Sequence, residues 1–315
     1  MNRDGDIASG QRQGSPGFSL VELMVAMAVV GLFLGAVYGT FINFLTESGE
    51  QATLSKRGFD TRLGLDLMRS DLRKIGFGVA APQLAATVSG DNQNLTFRST
   101  AVHSQGAMAG VHGVLYEAGG NLTANDWLGG NVSASQPGVV MTPDRELLQT
   151  VQLQNVSVAP RNLFFATPNA TGAGYFYQRT YYLGGGGVNA GCADNNVSNL
   201  LFRDASPNNM GPVSVIDCVL DLRFQYGFEL AAGGIGFSGD PATPPSGSAD
   251  NLPDVIKVGL MIQVGDRYRN QTPTPGPLNY SDPDLQLSTP ISLSTDQQRY
   301  RWQIVEWSVS LENMP

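Results

Sequence analysis

The sequence predicts an α+β protein in which one long N-terminal helix packs on a large head rich in antiparallel β-strands. Three observations support this fold class. After Glu22 no charged residue occurs until Glu47, a run of 24 residues. Mostly apolar residues then recur, mainly at steps of three and four, up to Ile75, which is the spacing of one helix face. After Pro82, short β-favouring runs alternate with loops, in a chain with 38 glycines and 18 prolines.

The uncharged run predicts a membrane-spanning helix. At 1.5 Å per residue it measures roughly 36 Å, enough to cross a hydrocarbon core of about 30 Å. The run is too long for a secretory signal peptide, and no A-x-A-like cleavage site leads from it into the head. A lipoprotein signal would need a cysteine, and none lies near this segment. Glu22 is therefore an acid near the start of a membrane span, where a carboxylate is costly and is by default a functional residue.

The second half of the helix is predicted to be amphipathic. Charged residues, among them Asp60, Asp66 and Asp71, occupy much of its circumference and leave one apolar stripe to pack on a folded body. Gly76 and Gly78 are expected to end the helix after Ile75. The stripe consists of Leu54, Thr61, Leu65, Met68, Leu72 and Ile75.

The head is predicted to contain short strands separated by loops. Residues 301–309 alternate partly between apolar and polar, as expected of a half-buried antiparallel strand. Two stretches dense in proline and glycine, 231–253 and 266–289, are predicted to be long loops that serve either as insertions or as subunit contacts. The strand candidates are residues 95–99, 113–117, 138–141, 148–158, 175–183, 213–228, 255–264 and 302–311.

The charge of the chain is unevenly distributed. Residues 1–75 hold eight basic and eight acidic residues, so the formal net charge of −8 belongs entirely to residues 76–315. A head of that sign repels a phosphate backbone, and nucleic acid is not expected as a partner.

Cys192 and Cys218 are the two cysteines of the chain, and their spacing fits no zinc motif. If the head is exported, a disulfide between them is expected, and it would stabilise the fold by about 3 kcal/mol. The alternative is that both are small buried thiols.

No enzyme site, cofactor or metal is predicted. His103 and His112 are the only histidines, and no cysteine or acid stands near them at ligand spacing. The sequence contains no G-x-S-x-G elbow, H-E-x-x-H motif or P-loop. Asp240, Asp250 and Asp254 do not follow the order of an EF-hand.

The residues Gly17-Phe18-Ser19-Leu20-Val21-Glu22, followed directly by the apolar helix, resemble the processing site of type IV prepilins. The resemblance implies that prepilin peptidase cleaves between Gly17 and Phe18 and N-methylates Phe18. It also implies that Glu22 is the acid required for assembly, paired with the Phe18 amine of a neighbouring subunit. In low dielectric such a pair sets axial register more than it adds stability. The alternative for Glu22 is an interfacial acid without a partner.

The same resemblance implies an organisation and a location. Residues 1–17 would be the leader peptide, 18–45 the transmembrane and assembly half of the helix, 46–75 its amphipathic half and 76–315 the β-rich head. The chain would cross the bacterial inner membrane once with its head in the periplasm, and would then enter a pilus at the cell surface.

Three further segments narrow the resemblance to PilW-type minor pilins and the related J-type minor pseudopilins. They are residues 65–77 (LDLMRSDLRKIGF), 219–227 (VLDLRFQYG) and 255–262 (VIKVGLMI) with the terminal strand through Leu311-Glu312-Asn313. The family pattern usually has an arginine before the final asparagine, where this chain has Glu312. This difference bears on the assignment to a subfamily and not on the resemblance to type IV pilins.

Three functions are compatible with this resemblance. The first is a minor pilin that primes or caps a type IV pilus, with other pilin subunits and a tip adhesin as partners. The second is a minor pseudopilin of a type II secretion system. The third is a membrane-anchored adhesin that is not polymerised, and Glu22 and the Gly17–Phe18 junction argue against it.

Overall fold

The computed structural model describes residues 19–79, 87–99, 112–118, 121–124, 137–144, 146–152, 162–166, 177–185, 192–193, 197–204, 211–264 and 276–314. The chain divides into two compact units, Met1–Ala52 and Thr53–Pro315. The first contains the start of the long helix, and the second contains the end of that helix and the head.

The long helix α1 spans Leu20–Leu72, as the sequence predicts, but it ends three residues before the expected position. The N–H groups of Lys74 and Ile75 bond to carbonyls three residues back, so the last turn tightens and is no longer α-helical. The chain then leaves the helix axis at Gly76, whose φ of +75° favours glycine.

Thirteen strands are found in the described residues, all in the second unit, and all their pairings are antiparallel. They are β1 (Val88–Gly90), β2 (Leu95–Ser99), β3 (His112–Ala118), β4 (Asn121–Ala124), β5 (Pro137–Met141), β6 (Leu147–Gln152), β7 (Leu163–Ala166), β8 (Tyr177–Gly184), β9 (Ser198–Asp204), β10 (Val213–Glu229), β11 (Ile235–Ser238), β12 (Val255–Val264) and β13 (Arg301–Ser310). The α+β prediction is confirmed.

The strands form two sheets. The larger has eight strands in the order β1-β2-β8-β9-β10-β12-β13, with β11 paired to β10. The smaller has five, in the order β4-β3-β7-β5-β6, and lies between β2 and β8 in the chain. Strand β10 is irregular: its register against β9 shifts between Ser214 and Ile216 and again between Ile216 and Val219. These shifts are β-bulges, which bend a strand and re-aim its side chains.

The main core lies between α1 and the larger sheet. On the helix, Met68 and Leu72 are fully buried, together with Ile75 in the tightened turn. They contact alternate residues of the central strands, because side chains one residue apart in a strand point to opposite faces. The predicted apolar stripe is thus buried from Leu65 to Ile75, while Thr61 is half-buried and the side chain of Leu54 lies outside the described residues.

The opposite face of the larger sheet is covered by residues 276–293, which belong mostly to the predicted loop 266–289. Tyr280 and Leu285 are each 2% exposed and pack against Met261 of β12. Lys257 of β12 pairs with Asp282 at 2.8 Å and with Asp284, and so ties the covering segment to the sheet. This segment therefore packs as part of the head. The sequence predicts a loop that is either an insertion or a subunit contact, and it does not predict this packing role.

Strands were predicted best where β-favouring runs are long. Each of the eight predicted candidates overlaps an observed strand, and 95–99 and 255–264 match to the residue. The prediction missed β1, β4, β7, β9 and β11. Four of these have three or four residues, too few for a period-two pattern to emerge, and β11 lies inside the predicted loop 231–253. Strand β9 was missed because its apolar residues are consecutive rather than alternating.

Candidate functional site

The first part of the candidate site is the segment Leu20–Gly49 at the start of α1. Within the described chain it is the one helical segment long and apolar enough to cross a membrane, and none of its residues is buried. The hydroxyls of Thr40 and Thr46 donate to the carbonyls of Ala36 and Ile42 at 3.0 and 2.9 Å. Their polar groups are therefore satisfied inside the helix, and the surface offered to lipid or to other helices is apolar.

Glu22 stands in the first turn of α1 and takes part in a capping box. Its Oε2 accepts a hydrogen bond from the backbone N–H of Ser19 at 3.2 Å, and Ser19 Oγ accepts one from the N–H of Val21 at 3.4 Å. A serine followed three residues later by glutamate produces this arrangement, in which side chains satisfy N–H groups at the helix start. The S-x-x-E pattern in the sequence indicates this cap, which the membrane position and the assembly role predicted for Glu22 did not include. Gly17 and Phe18 lie outside the described residues.

Gly31, Gly35 and Gly39 recur every four residues in the apolar segment. A Cβ built on any of them meets no other atom within 4 Å. Beside Gly35, the side chains of Leu34 and Phe41 border a shallow apolar hollow. These glycines leave the helix backbone accessible to a close neighbour.

The second part of the candidate site is a buried charge cluster that holds α1 to the head. Arg179 of β8 lies directly opposite Asp204 of β9 and donates to it through Nε at 2.7 Å and Nη2 at 2.8 Å. Its Nη1 donates to Asp71 Oδ2 of α1 at 2.5 Å. Tyr181 Oη donates to the same oxygen at 2.7 Å, and the guanidinium lies 3.9 Å from the ring centre of Phe202.

The cluster encloses one cation and two carboxylates almost without solvent, since Arg179 and Asp71 are each 1% exposed. Burial acts to lower the pKa of Arg179, but the hydrogen bond to Asp204 and the charge of Asp71 outweigh it and raise that pKa above its ordinary value. Burial and the nearby Asp71 raise the pKa of Tyr181 well above its ordinary range. Both groups therefore remain hydrogen-bond donors throughout the physiological pH range.

The placement of Asp71 corrects the sequence analysis, which assigned it to the charged circumference of the helix. Asp71 points into the head, on the side of Met68 and Leu72. Two signals could have located the cluster. Asp71 falls within the angular range of the apolar stripe, and Arg179 interrupts an aromatic strand, where a buried charge needs a partner.

The end of α1 is capped by the C-terminal residues of the chain. The side-chain amide of Asn313 donates to the carbonyl of Arg73 at 2.9 Å, and the N–H of Gly76 donates to the carbonyl of Arg98 at 3.1 Å. A Cβ at Gly76 would lie 2.6 Å from the carbonyl oxygen of Asn313. Asn313 belongs to the family pattern described in the sequence analysis. In the structure it satisfies the carbonyl of Arg73, which has no partner within the helix.

Cys192 and Cys218 are joined by a disulfide in the structure, with their Cα atoms 5.3 Å apart. Cys218 lies at the bulged part of β10, and its N–H donates to Asn199 Oδ1 at 3.2 Å. The N–H of Ala193 donates to Gln263 Oε1 at 2.8 Å. The bridge therefore connects the segment before β9 to the irregular strand on which α1 rests.

No group of three or more His, Cys, Asp or Glu side chains suited to a metal ion occurs within the described ranges. His103 lies outside these ranges, and His112 lies in β3 with its side chain outside the description. Asp240 and Asp250 instead accept hydrogen bonds from the N–H groups of Ala242 and Leu252 in their own loops.

Comparison with known proteins gives one family match. Residues 12–38 match the model of the prokaryotic N-terminal methylation motif. No curated protein matches the chain. Among solved structures, a type IV-like pilin from Thermus thermophilus aligns over 82% of this chain and 97% of its own, with 11% identity and a TM-score of 0.29.

Proposed function

We propose that this chain, a type IV pilin-like protein with a prepilin-type N-methylation motif, is a minor pilin that takes part in type IV pilus assembly within a priming or tip complex. The observation that carries the proposal is the position of the motif. It covers residues 12–38 and so overlaps the start of an apolar helix segment whose described residues are all unburied. The fold and motif are those of a structural subunit.

In this proposal the N-terminal segment is processed before assembly. Prepilin peptidase cleaves between Gly17 and Phe18 and methylates the new amine of Phe18, which keeps the positive charge of that amine. Leu20–Gly49 holds the chain in the inner membrane until it enters the filament. Before assembly the Glu22 carboxylate caps its own helix through Ser19, and in the filament it pairs with the Phe18 amine of a neighbour.

The helix surface outside the head supports assembly through helix packing. Phe59 and Leu63 are 67% and 61% exposed although they lie beyond the apolar segment Leu20–Gly49, and Leu67 is exposed as well. They are spaced four residues apart, opposite the buried face formed by Met68 and Leu72. Exposed apolar side chains in a row favour a protein partner, and neighbouring filament subunits are the partners proposed.

The first test is mass spectrometry of the mature N-terminus of the chain produced in a host with an active prepilin peptidase. The expected product begins at Phe18 and carries one N-methyl group. The chain recovered from a peptidase-deficient strain should keep its leader. An intact leader in the active host, or cleavage at any other bond, would contradict the proposal.

The second test concerns Glu22. Glu22→Ala is expected to abolish incorporation into filaments, measured by immunoblotting of sheared pili, because it leaves the neighbour's buried amine unpaired. Glu22→Gln keeps an oxygen that can accept from Ser19 N–H but loses the charge, so it should also fail to assemble. Glu47→Ala, at the other end of the apolar segment, serves as control and should assemble normally. Normal assembly of Glu22→Gln would mean that Glu22 acts only as a helix cap.

A minor pseudopilin of a type II secretion system is the alternative, because the processing, the apolar helix and Glu22 would serve it equally. Deletion of the gene separates the two functions. Loss of surface pili with normal protein secretion is expected for the minor pilin. Loss of secretion with normal pili would assign the chain to the secretion system.

A further inference from the structure

Cys218 has a backbone conformation that its residue type disfavours. Its φ is +57°, and it is the one non-glycine residue with positive φ in the described part of the chain. For a residue with a Cβ the left-handed region is sterically unfavourable, and it persists where the surroundings enforce it. Two contacts enforce it here, the disulfide to Cys192 and the hydrogen bond from the Cys218 N–H to Asn199.

The residues just before Cys218 form the surface on which α1 rests. A Cβ at Gly64 of the helix would lie 2.5 Å from the carbonyl oxygen of Val215 and 2.6 Å from Cγ1 of Ile216. The helix backbone therefore touches the bulged strand directly at this point. Val215 lies in the first register shift of β10, between Ser214 and Ile216, and Cys218 lies in the second, between Ile216 and Val219. The bulged segment 214–219 therefore determines the position of this surface.

A cavity of about 230 Å³ lies next to this contact, beside the residues of α1 that precede Gly64. Arg57 and Thr61 line it from α1, and Cys218 and Gln263 line it from the sheet. The helix is therefore packed incompletely between Arg57 and Thr61, whereas Gly64 is in close contact with β10. In contrast, the end of the helix is held independently by the Arg179 cluster.

We propose that the Cys192–Cys218 disulfide controls the packing of helix α1 on the head in a redox-dependent way. The oxidised bridge fixes the bulged segment of β10 that contacts Gly64. Reduction of the bridge allows residues 57–64 to separate from the head. Without the bridge, only the hydrogen bond from the Cys218 N–H to Asn199 still opposes the change of φ. Cys218 then leaves the left-handed region, and the bulge between Ile216 and Val219 moves along β10. A register shift of one residue turns the side chain of Ile216 from the core face of the sheet to the other face, and the contact with Gly64 is lost. This redox dependence is a property of the head itself, so it applies whether the chain is a pilin or a pseudopilin.

Release requires an external dithiol reductant. A thiolate of the reductant attacks one cysteine sulfur, and the S–S electron pair leaves with the other cysteine as a thiolate, which takes up a proton. The second thiol of the reductant then displaces the first cysteine and closes a disulfide in the reductant. Two electrons and two protons are thereby transferred to Cys192 and Cys218.

The test is limited trypsin digestion of the purified full-length chain in detergent micelles, with and without dithiothreitol. Reduction is expected to accelerate cleavage after Arg57 and Arg62 by about five- to thirtyfold, the factor that corresponds to the left-handed penalty of one residue. Cleavage after Arg73, whose carbonyl is capped by Asn313, serves as the internal reference and should not change. Tryptophan fluorescence, to which Trp302 and Trp307 of β13 contribute, should show that the head remains folded.

Two double variants separate the backbone effect from the loss of a covalent link. Cys192→Ser with Cys218→Ser should be cleaved rapidly at Arg57 and Arg62 with or without reductant. Cys192→Ser with Cys218→Gly should be cleaved more slowly, because glycine adopts positive φ without penalty and retains the bulge. Equal cleavage of the oxidised and reduced wild type, unfolding of the whole head on reduction, or equal cleavage of the two variants would overturn the proposal.

Discussion

Arg179→Leu is expected to lower the free energy of unfolding of the head by about 3–5 kcal/mol, because it leaves the carboxylates of Asp71 and Asp204 buried without a cation. Both acids are at most 5% exposed, so water cannot replace the lost partner without opening the core. Tyr181 would still donate to Asp71, but a neutral hydroxyl does not compensate for a second buried charge. Urea unfolding of the full chain in detergent, followed by tryptophan fluorescence, measures the change.

Two control variants show whether the loss of stability comes from the buried charges. Arg299→Leu removes an exposed ion pair with Asp296, at 3.6 Å, and should change stability by about 0.5 kcal/mol or less. Asp71→Asn removes the surplus buried carboxylate while its amide oxygen can still accept from Tyr181, so it should cost about 1 kcal/mol or less. A loss below about 1.5 kcal/mol for Arg179→Leu would contradict the role assigned to the cluster.

The second large effect is expected at Gly64. Gly64→Ala should lower the free energy of unfolding by roughly 2–3 kcal/mol, because its Cβ would overlap the carbonyl oxygen of Val215 and force α1 away from β10. The better helix propensity of alanine, worth about 1 kcal/mol, opposes this loss but does not cancel it. The same urea titration measures it, and cleavage by trypsin at Arg62 reports whether the helix has separated.

Gly58→Ala is the matched control, since Gly58 lies in the same helix and a Cβ there meets nothing within 4 Å. It should raise the free energy of unfolding by about 0.5–1 kcal/mol through helix propensity alone. Opposite signs for the two glycine substitutions are the expected result. A neutral or stabilising Gly64→Ala would mean that α1 does not contact the bulged strand as described.

Features of this chain that depend on neighbouring residues could be predicted from the sequence. The helix from Leu20 and the apolar segment within it depend on properties of consecutive residues, so composition and periodicity suffice to locate them. The long strands β10 and β12 were predicted for the same reason. The capping box at Ser19 and Glu22 is equally local, so the S-x-x-E pattern is sufficient to predict it.

The features that could not be predicted join residues far apart in the chain. Arg179 bonds to Asp71 across 108 residues and Asn313 bonds to Arg73 across 240, and neither pair has a local pattern that selects one partner among many. The same is true of the covering segment around Tyr280, whose proline- and glycine-rich sequence indicates only a loop.

The sequence by itself determined the class of molecule, with a membrane-compatible helix, an amphipathic continuation and a β-rich head. The processing residues Gly17 and Phe18 remain predictions, as does the assembly role of Glu22. Only the tertiary structure decided how the head holds its helix, through the Arg179 cluster at one end and the contact of Gly64 at the other. The physical reason is that secondary structure follows from neighbouring residues, whereas buried charges and close backbone contacts depend on how distant segments meet.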